Sequence, residues 1–292
     1  MKIVKKILFI LLVFINRLSG KIIVGNFKLK APYYHCYHSL FLIYKDYSRN
    51  FREIVKKTKK YHPDLKLIDV GANIGDTVAF VKTDVDVPIL AIEPNDAYFK
   101  YLKQNTQSFN NVKNVKVFLS NKNEKTNQKL ICKNGSGFLS ENNKNPLNPI
   151  ELITLDSLLE KEQDFQFSKI LKVDTDGYDI KILKGAKDYI KKAQPVIFFE
   201  YTATKGQNAE YVFKDDKNQL MFFNDMLNFG YNYAIFYDHL GNFLLSMNLE
   251  NKSLLEELTN YINIQRHIPY FDICMFHNQD KQIYKDIRNE YI

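Results

Sequence analysis

The chain has 292 residues, of which 45% are hydrophobic, 25% charged and 14% aromatic. This balance is typical of a folded globular protein, and it excludes collagen-like, mucin-like and mostly disordered chains. Three cysteines, Cys36, Cys132 and Cys274, are too few and too scattered for a disulfide framework or a zinc cluster, so a reducing compartment is expected.

The charge is distributed unevenly along the chain. Residues 1–60 contain 14 Lys and Arg but only two acids, Asp46 and Glu53, which gives a net charge of +12. Residues 61–292 contain 27 basic and 31 acidic side chains, a net charge of −4. Because the larger part of the chain is slightly acidic, its composition does not favour binding of a polyanion such as nucleic acid.

The first segment, residues 1–20, combines a basic start with nine consecutive apolar residues, 7–15. As a helix this run is about 14 Å long, roughly half the hydrocarbon core of a bilayer, so it is too short to span. Leu18 also stands where a signal peptide has a small residue before its cleavage point. We expect an uncleaved helix with peripheral membrane contact; a helix packed on the body and a signal peptide are the alternatives.

Residues 21–64 are predicted to form a hairpin and helix extension. Two short strands, 21–24 and 27–29, flank Gly25 and Asn26, which tolerate the positive φ of a tight turn. Apolar spacing over 39–60 predicts one helix, which Pro63 ends. His35, Cys36 and His38 have spacing that suggests a metal, but packing or surface roles are favoured.

From residue 65 onward, short branched apolar segments alternate with helical ones. This predicts an α/β body, 65–292, with a mostly parallel sheet and helices on both faces. A terminal antiparallel hairpin and a last strand are predicted after it, and the polar insertion 121–149 is expected to cover the site. The strands are predicted over 67–70, 89–92, 115–119, 170–173, 196–199, 231–237, 243–247 and 271–276, and the helices over 76–82, 95–108, 178–191 and 219–229.

The turn after the first body strand contains Gly71 and Gly75. Small residues at the carboxyl edge of a parallel sheet let a ligand approach the backbone. The spacing excludes the dinucleotide fingerprint, and the chain has no phosphate-binding P-loop. Glu93, at the end of the second strand, can accept hydrogen bonds from a ribose diol. A glycine turn followed by a distal acid, in a chain without a phosphate-binding loop, favours a nucleoside cofactor with a small charged tail, namely S-adenosylmethionine.

Four segments in order resemble the FkbM family of S-adenosylmethionine-dependent methyltransferases. They are DVGANIG at 69–75, AIEP at 91–94, KVDTDG at 172–177 and LKGA at 183–186. The resemblance covers about residues 65–201. It implies the class I methyltransferase (Rossmann-like) fold and, usually, O-methylation of sugars or natural products.

The resemblance also implies a set of cofactor-binding residues: Asp69, Gly71, Ala72, Asn73, Gly75, Glu93, Pro94, Ser120 and Asn121. Asp69, Gly71, Asn73 and Gly75 would surround the methionine part, and Glu93 the ribose. Ser120 and Asn121, after the third strand, would lie near the adenine. A tight strand-to-helix turn is the alternative for the glycines, and a solvated loop for Ser120 and Asn121.

Three acids, Asp174, Asp176 and Glu200, follow the fourth and fifth strands and are predicted to be catalytic. A carboxylate at this edge can take the proton from an attacking hydroxyl. Alternatively, Asp174 and Glu200 could hold Mg²⁺. Asp176 and Asp179 could instead serve the helix that follows, and the family more often has Glu at both positions, so the acid that reaches the acceptor is left open.

The expected activity is O-methylation of a saccharide hydroxyl, in a surface polysaccharide or lipid-linked glycan precursor. The cofactor is cytosolic, so the protein is expected in the cytoplasm, at the inner face of the membrane. A nucleic-acid (RNA) methyltransferase is the runner-up because of the basic N-terminus, although no nucleic acid partner is expected, since an N-P-P-Y type motif for nitrogen acceptors is absent. A non-catalytic cofactor-binding scaffold is the third interpretation.

Overall fold

The computed structural model describes residues 2–44, 47–133, 136–140, 149–202, 216–264 and 270–292. The strands are β1 Lys21–Val24, β2 Phe27–Lys30, β3 Leu67–Val70, β4 Ile89–Ile92, β5 Val112–Val115, β6 Phe118–Leu119, β7 Glu124–Thr126, β8 Lys129–Lys133, β9 Ser136–Ser140, β10 Ile150–Ile153, β11 Ile170–Val173, β12 Val196–Thr202, β13 Tyr231–Tyr237, β14 Phe243–Asn248 and β15 Tyr270–His277. The helices are α1 Lys2–Ser19, α2 Tyr37–Ile43, α3 Arg49–Tyr61, α4 Asp76–Asp84, α5 Asp96–Thr106, α6 Leu155–Lys161, α7 Asp179–Lys184, α8 Lys187–Ala193, α9 Asp216–Asn228, α10 Lys252–Ile264 and α11 Lys281–Arg288.

The central sheet has the order β14-β13-β15-β12-β11-β3-β4-β5. Strands β12, β11, β3, β4 and β5 are parallel to their neighbours within this group. Strand β15 lies antiparallel between β12 and β13, and β14 extends the outer edge. The predicted α/β fold is therefore confirmed, and the predicted last strand separates the terminal hairpin from β12.

Apolar clusters cover both faces of the sheet because successive residues of a strand point to opposite sides. Ile68 and Leu90 belong to the cluster that includes α6, α7 and α9. Their neighbours Leu67 and Ile89 belong to the cluster that includes α3, α4 and α11. Every residue of β3, β4 and β11 is buried, as expected for central parallel strands covered on both sides.

One predicted strand is misplaced, and two predicted helices are each divided in the structure. The strand predicted over 115–119 is wrong: β5 pairs with β4, whereas Phe118–Leu119 pairs with β10 in a separate small sheet. The helix predicted over 39–60 is two helices, α2 and α3. The helix predicted over 178–191 is also two, because the chain turns at Gly185, where a Cβ would overlap the carbonyl oxygen of Ser120.

The hairpin predicted near the N-terminus is confirmed as β1 and β2. Its buried residues Ile22, Val24 and Leu29 form a third apolar cluster with Ile74 and Phe80, so the hairpin packs on the start of α4. None of the helices in the described part of the chain is long and apolar enough to cross a membrane. Of the predicted insertion 121–149, residues 134, 135 and 141–148 lie outside the described residues.

Candidate active site

The turn between β3 and α4 is held close to the neighbouring strands. Gly71, Asn73 and Gly75 all have positive φ, at 83°, 49° and 91°. The N–H groups of Gly71 and Ala72 both donate to the carbonyl of Ile92 at 3.0 Å. A Cβ on Gly71 would overlap the carbonyl oxygen of Asp174, so only glycine fits there. The turn is thus a closely packed backbone cradle between the ends of β4 and β11.

Glu93 is buried beside this cradle and oriented by two backbone donors. Asn73 N–H donates to Oε2 at 2.9 Å, and Asn95 N–H donates to Oε1 at 2.8 Å. Burial raises the pKa of Glu93 to about 7, although both hydrogen bonds oppose the shift. Each carboxylate oxygen can accept a further bond. The side chain can therefore bind a diol, which is the property that the ribose assignment requires.

An apolar pocket lies next to Glu93 and suits a flat, neutral ring. Its lining is Val70, Gly71, Ile92, Pro94, Val117, Phe118, Leu119, Leu130, Thr175, Tyr178 and Ile182. Leu130 comes from the insertion, which therefore reaches the pocket as expected. Ser120 is buried and its N–H donates to Ile153 O at 2.8 Å, whereas Asn121 is exposed. Neither lines the pocket, so their contact with adenine stays a prediction.

A buried lysine links Asp69 within β3 to Asp174, the residue that follows β11. The Lys172 ammonium lies 3.4 Å from Oδ1 of Asp69 and 3.1 Å from Oδ2 of Asp174. Burial opposes the charge of Lys172, but Asp174 and Asp69 outweigh it and raise its pKa. Burial also raises the pKa of Asp69, and that of nearby Asp76 to about 7. Lys172 thus forms ion pairs with both acids.

Asp179 organises the turn that carries the predicted catalytic acids. Its Oδ2 accepts hydrogen bonds from the Thr175 hydroxyl at 2.9 Å and from the N–H groups of Thr175 and Gly177 at 3.3 Å. Its Oδ1 accepts from the N–H of Glu200 at 3.2 Å. Asp179 therefore ties this turn to β12. Asp176 lies in the turn with a φ of 52°, and its side chain is exposed, as is that of Asp174.

Glu200 has an acidic neighbour that the sequence analysis missed. Asp272 on β15 is its register partner across the antiparallel pair. Burial, followed by the charges of Asp179 and Asp174, raises the pKa of Glu200 well above its usual value. Burial and Asp174 raise that of Asp272 in the same way. The only clue in the sequence was an acid within an otherwise apolar strand.

His35 of the N-terminal extension also reaches the cofactor turn. Tyr37 N–H donates to His35 Nδ1 at 3.3 Å, so Nε2 carries the proton and donates to Asn73 Oδ1 at 3.1 Å. Burial lowers the pKa of His35 to about 4, so the ring is neutral near pH 7. His38 bonds instead to the carbonyl of Pro32 at 2.9 Å. Packing or surface roles were expected for both histidines, and the contact of His35 with Asn73 was not predicted.

The arrangement gives no support to a metal site. Across the ranges that the structure describes, no three His, Cys, Asp or Glu side chains are grouped to hold an ion. His35, Cys36 and His38 are thus not grouped for a metal, and in the described ranges no third side chain of these types joins Asp174 and Glu200 in such a group. The nearest cation to Asp174 is the ammonium of Lys172.

A wide cleft of about 840 Å³ lies between the extension and the turn after β13. Its lining is Ile43, Tyr44, Tyr47, Arg49, Asn50, Glu53, Leu240, Gly241, Asn242, Phe243, Glu290 and Tyr291. Burial, and then the charges of Asp174 and Asp272, raise the pKa of Tyr47 well above its usual value. Tyr47, which lines the cleft, is therefore close enough to Asp174 and Asp272 for their charges to act on its hydroxyl.

The sheet order, the glycine cradle and the oriented Glu93 define a class I S-adenosylmethionine-dependent methyltransferase. The family profile "Methyltransferase FkbM domain" matches residues 69–233, more than half of the chain. The chain belongs to the FkbM methyltransferase family, as the four motifs indicated. No curated protein matches the sequence.

Several solved structures are similar at low identity. The FkbM methyltransferase of Methylobacillus flagellatus is 14% identical with a TM-score of 0.37, over 73% of this chain and 44% of that one. The chain thus spans less than half the length of that protein. A SAM-dependent methyltransferase of Archaeoglobus fulgidus is 13% identical with a TM-score of 0.38, over 82% of this chain and 99% of that one. The fibrillarin pre-rRNA processing protein of Methanococcus jannaschii is 11% identical with a TM-score of 0.38, over 73% of this chain and 67% of that one. Likeness at this level says nothing about the acceptor.

Proposed function

We propose that this methyltransferase transfers a methyl group to a hydroxyl of a saccharide, in a surface polysaccharide or a lipid-linked glycan precursor. The observation that carries the proposal is the group of acids Asp174, Asp176 and Glu200 beside the cofactor turn. Of these acids, Asp174 acts on Tyr47: after burial, its charge is the main cause of the raised pKa of Tyr47, which lines a cleft large enough for a sugar unit.

The residues of the cradle fit the cofactor. Gly71 and Pro94 border the apolar pocket, which suits adenine, and Glu93 keeps acceptor positions for a ribose. When bound, S-adenosylmethionine supplies an electrophilic methyl group attached to a positively charged sulfur. The surrounding acids Asp69, Asp76 and Asp174 favour a cationic ligand at this edge of the sheet.

Within the acidic group, we assign proton acceptance to Glu200. A sugar hydroxyl is a weak nucleophile until its proton leaves, and a positioned base contributes about 10² to 10⁴ in rate. Glu200 has a raised pKa, which makes its ionised form a stronger base than an ordinary glutamate. Asp174, whose Oδ2 is oriented by Lys172, can hold the hydroxyl in line. Asp176 lies on the solvent side of the same turn.

The cleft favours a neutral polar acceptor over nucleic acid. Its aromatic residues, among them Tyr44 and Phe243, can cover the C–H face of a sugar ring. Asn50 and Asn242 offer both donors and acceptors to hydroxyl groups. The lining contains two acids, Glu53 and Glu290, and one basic residue, Arg49, a balance that does not favour a phosphate backbone. The acceptor is therefore expected to be uncharged where it meets Glu200.

The proposal is tested by comparing cell-surface glycans from cells that carry the gene, lack it, or carry only the Glu200→Gln variant. We expect one sugar to be lighter by a methylene unit in the last two. Purified protein should restore that unit to the isolated glycan when S-adenosylmethionine is added. Unchanged glycans together with altered RNA methylation would contradict the proposal and favour the nucleic-acid alternative.

A further inference from the structure

Helix α1 exposes apolar side chains that a helix packed on its own protein would bury. Leu11, Phe14, Ile15 and Leu18 recur at the spacing of one helical face. Together with Leu12 they are between 43% and 65% exposed. Such a stripe normally faces the core of its own protein.

The opposite face of α1 is directed towards the body and is more polar. Val13, Asn16 and Arg17 are only partly exposed. The Arg17 guanidinium lies 5.9 Å from the centre of the Tyr33 ring. Over residues 11–18 the amphipathic pattern is therefore the reverse of that in a helix packed on its own protein, and the apolar stripe is exposed to a surface outside this chain.

Exposed apolar residues continue beside the end of the helix. Ile23, on the strand that follows α1, is exposed, as are Tyr33 and Tyr34 in the segment that contacts Arg17. Tyrosines are favoured where a protein meets the headgroup layer of a bilayer. A cluster of this kind on one region marks an interaction surface rather than scattered exposure.

The charge around α1 identifies the occupant of this surface. The first acid in the sequence is Asp46, so residues 1–45 carry only positive charges, among them Lys2, Lys5, Lys6 and Lys21. A second copy of the chain would bring the same charges face to face, and they would repel each other. Anionic lipid headgroups attract them instead, and they lie next to the acyl region that an apolar stripe can enter.

From these observations we propose that α1 docks in the plane of an anionic membrane, with the stripe Leu11, Phe14, Ile15 and Leu18 inserted and the basic residues on the headgroups. The helix lies on the bilayer rather than across it. Docking depends on the extension alone and is independent of which acceptor the active site uses.

The test is co-sedimentation of the full-length protein with vesicles. We expect binding to vesicles of phosphatidylcholine and phosphatidylglycerol in equal parts, and at least tenfold weaker binding to phosphatidylcholine alone. Replacing the four stripe residues with serine should weaken binding at least tenfold. The matched control is Phe167→Ser with Leu244→Ser, which removes apolar residues that are 59% and 43% exposed on the body and should change nothing.

Three further measurements keep the result unambiguous. Binding of S-adenosylmethionine by the serine variant verifies that it is folded, and the single change Leu18→Ser should give a partial loss if the fourfold variant does not fold. Lys5→Gln with Lys6→Gln should weaken binding to the anionic vesicles only. Absence of vesicle binding, equal binding of the stripe variant, or self-association that depends on the stripe would each overturn the proposal.

Discussion

In the body of the protein, apolar side chains are buried on both faces of the sheet and acids gather at its carboxyl edge, whereas the N-terminal extension exposes apolar residues and carries the positive charge. The two regions meet at the cofactor turn. His35 bonds to Asn73, and the Asn105 side-chain amide joins the carbonyls of Lys30 and Ile74.

This contrast indicates that the body determines the reaction of the protein, whereas the extension determines where the protein docks. The body can hold several carboxyl groups with raised pKa values because a rigid buried sheet fixes the strand ends that carry them. The extension contributes few groups to the site, but it braces the turn that we propose binds the cofactor. Changes in the body should therefore affect catalysis or acid–base balance, and changes in the extension should affect membrane docking or modestly weaken cofactor binding.

The largest effect is expected from Glu200→Gln. Removing the proton acceptor should lower kcat by about 10² to 10⁴, while the affinity for S-adenosylmethionine stays the same. In the unaltered protein, the acidic limb of kcat/KM against pH should lie above the ordinary value of 4.5, because burial raises the pKa of Glu200. Methyl-transfer kinetics measure both the loss of kcat and the position of the acidic limb, with the exposed Glu250→Gln as the control. A Glu200→Gln variant that remains active would refute the assignment.

Gly71→Ala and Gly20→Ala separate steric overlap from backbone strain. Both glycines have positive φ, but only at Gly71 would a Cβ overlap a neighbouring backbone atom. Gly71→Ala should lower the free energy of unfolding by roughly 2–5 kcal/mol and abolish cofactor binding. Gly20→Ala should cost roughly 1–2 kcal/mol and leave binding intact. Chemical denaturation and calorimetry test the pair, and equal effects would mean that the close approach to Asp174 is unimportant.

Asp76→Asn should stabilise the protein at high pH. The pKa of Asp76 is raised from 3.8 to about 7 by burial, so between these values the folded state binds more protons than the unfolded state. Its contribution to stability is therefore lost as the pH rises from about 4 to 7. Denaturation at pH 8 should show a gain on the order of 1–4 kcal/mol, absent at pH 4.

Asp286→Asn provides the control of opposite sign. The Tyr61 hydroxyl, which donates to Asp286 at 2.6 Å, lowers the pKa of this carboxyl. Asp286 therefore stabilises the protein above its unfolded pKa, and its replacement should cost stability at pH 8 and none in strong acid. If both variants changed stability in the same direction at pH 8, the burial argument for Asp76 would fail.

Glu93 should make cofactor affinity depend on pH. Its pKa of about 7 means that it is increasingly protonated below neutrality and loses acceptor positions for the ribose. Affinity for S-adenosylmethionine should fall about tenfold for each pH unit below 7. Calorimetry at several pH values measures this dependence. The same titrations with Glu93→Gln, which cannot ionise at this position, show how much of the dependence comes from the ligand's own amino group. The same slope in both proteins would exclude Glu93 as the source.

The smallest effect is expected from His35→Ala. Loss of its hydrogen bond to Asn73 should weaken cofactor binding about fivefold, since such a bond contributes about 1 kcal/mol. His38→Ala is the matched control, because His38 is also buried in the extension but bonds to Pro32. It should lower stability without changing affinity. Equal losses of affinity would indicate a general effect of disturbing the extension.

Local features of the site could be predicted from the sequence. The strands β3, β4 and β11 are short buried runs, and the glycine turn and Glu93 directly follow two of them. The end of the third strand was misjudged because the apolar pattern continues beyond Val115 into a different sheet. The break at Gly185 depends on contact with Ser120, which is distant in sequence.

Long-range pairing explains the functional residues that the sequence did not reveal. Asp272 joins Glu200 only because β15 inserts antiparallel between β12 and β13. His35 reaches Asn73 because the hairpin packs on α4. Neither arrangement leaves a pattern in the neighbouring residues.

The central claim is that the strand ends of the body hold S-adenosylmethionine through Glu93 while Glu200 acts on the acceptor. Calorimetric titration of S-adenosylmethionine into the unaltered protein, Glu93→Ala and Glu200→Gln at pH 8 tests it most directly. We predict one binding site in the unaltered protein, the same affinity in Glu200→Gln and a loss of at least about tenfold in Glu93→Ala, the equivalent of one lost charge-assisted hydrogen bond. Failure of the unaltered protein to bind, or equal binding by Glu93→Ala, would contradict the account.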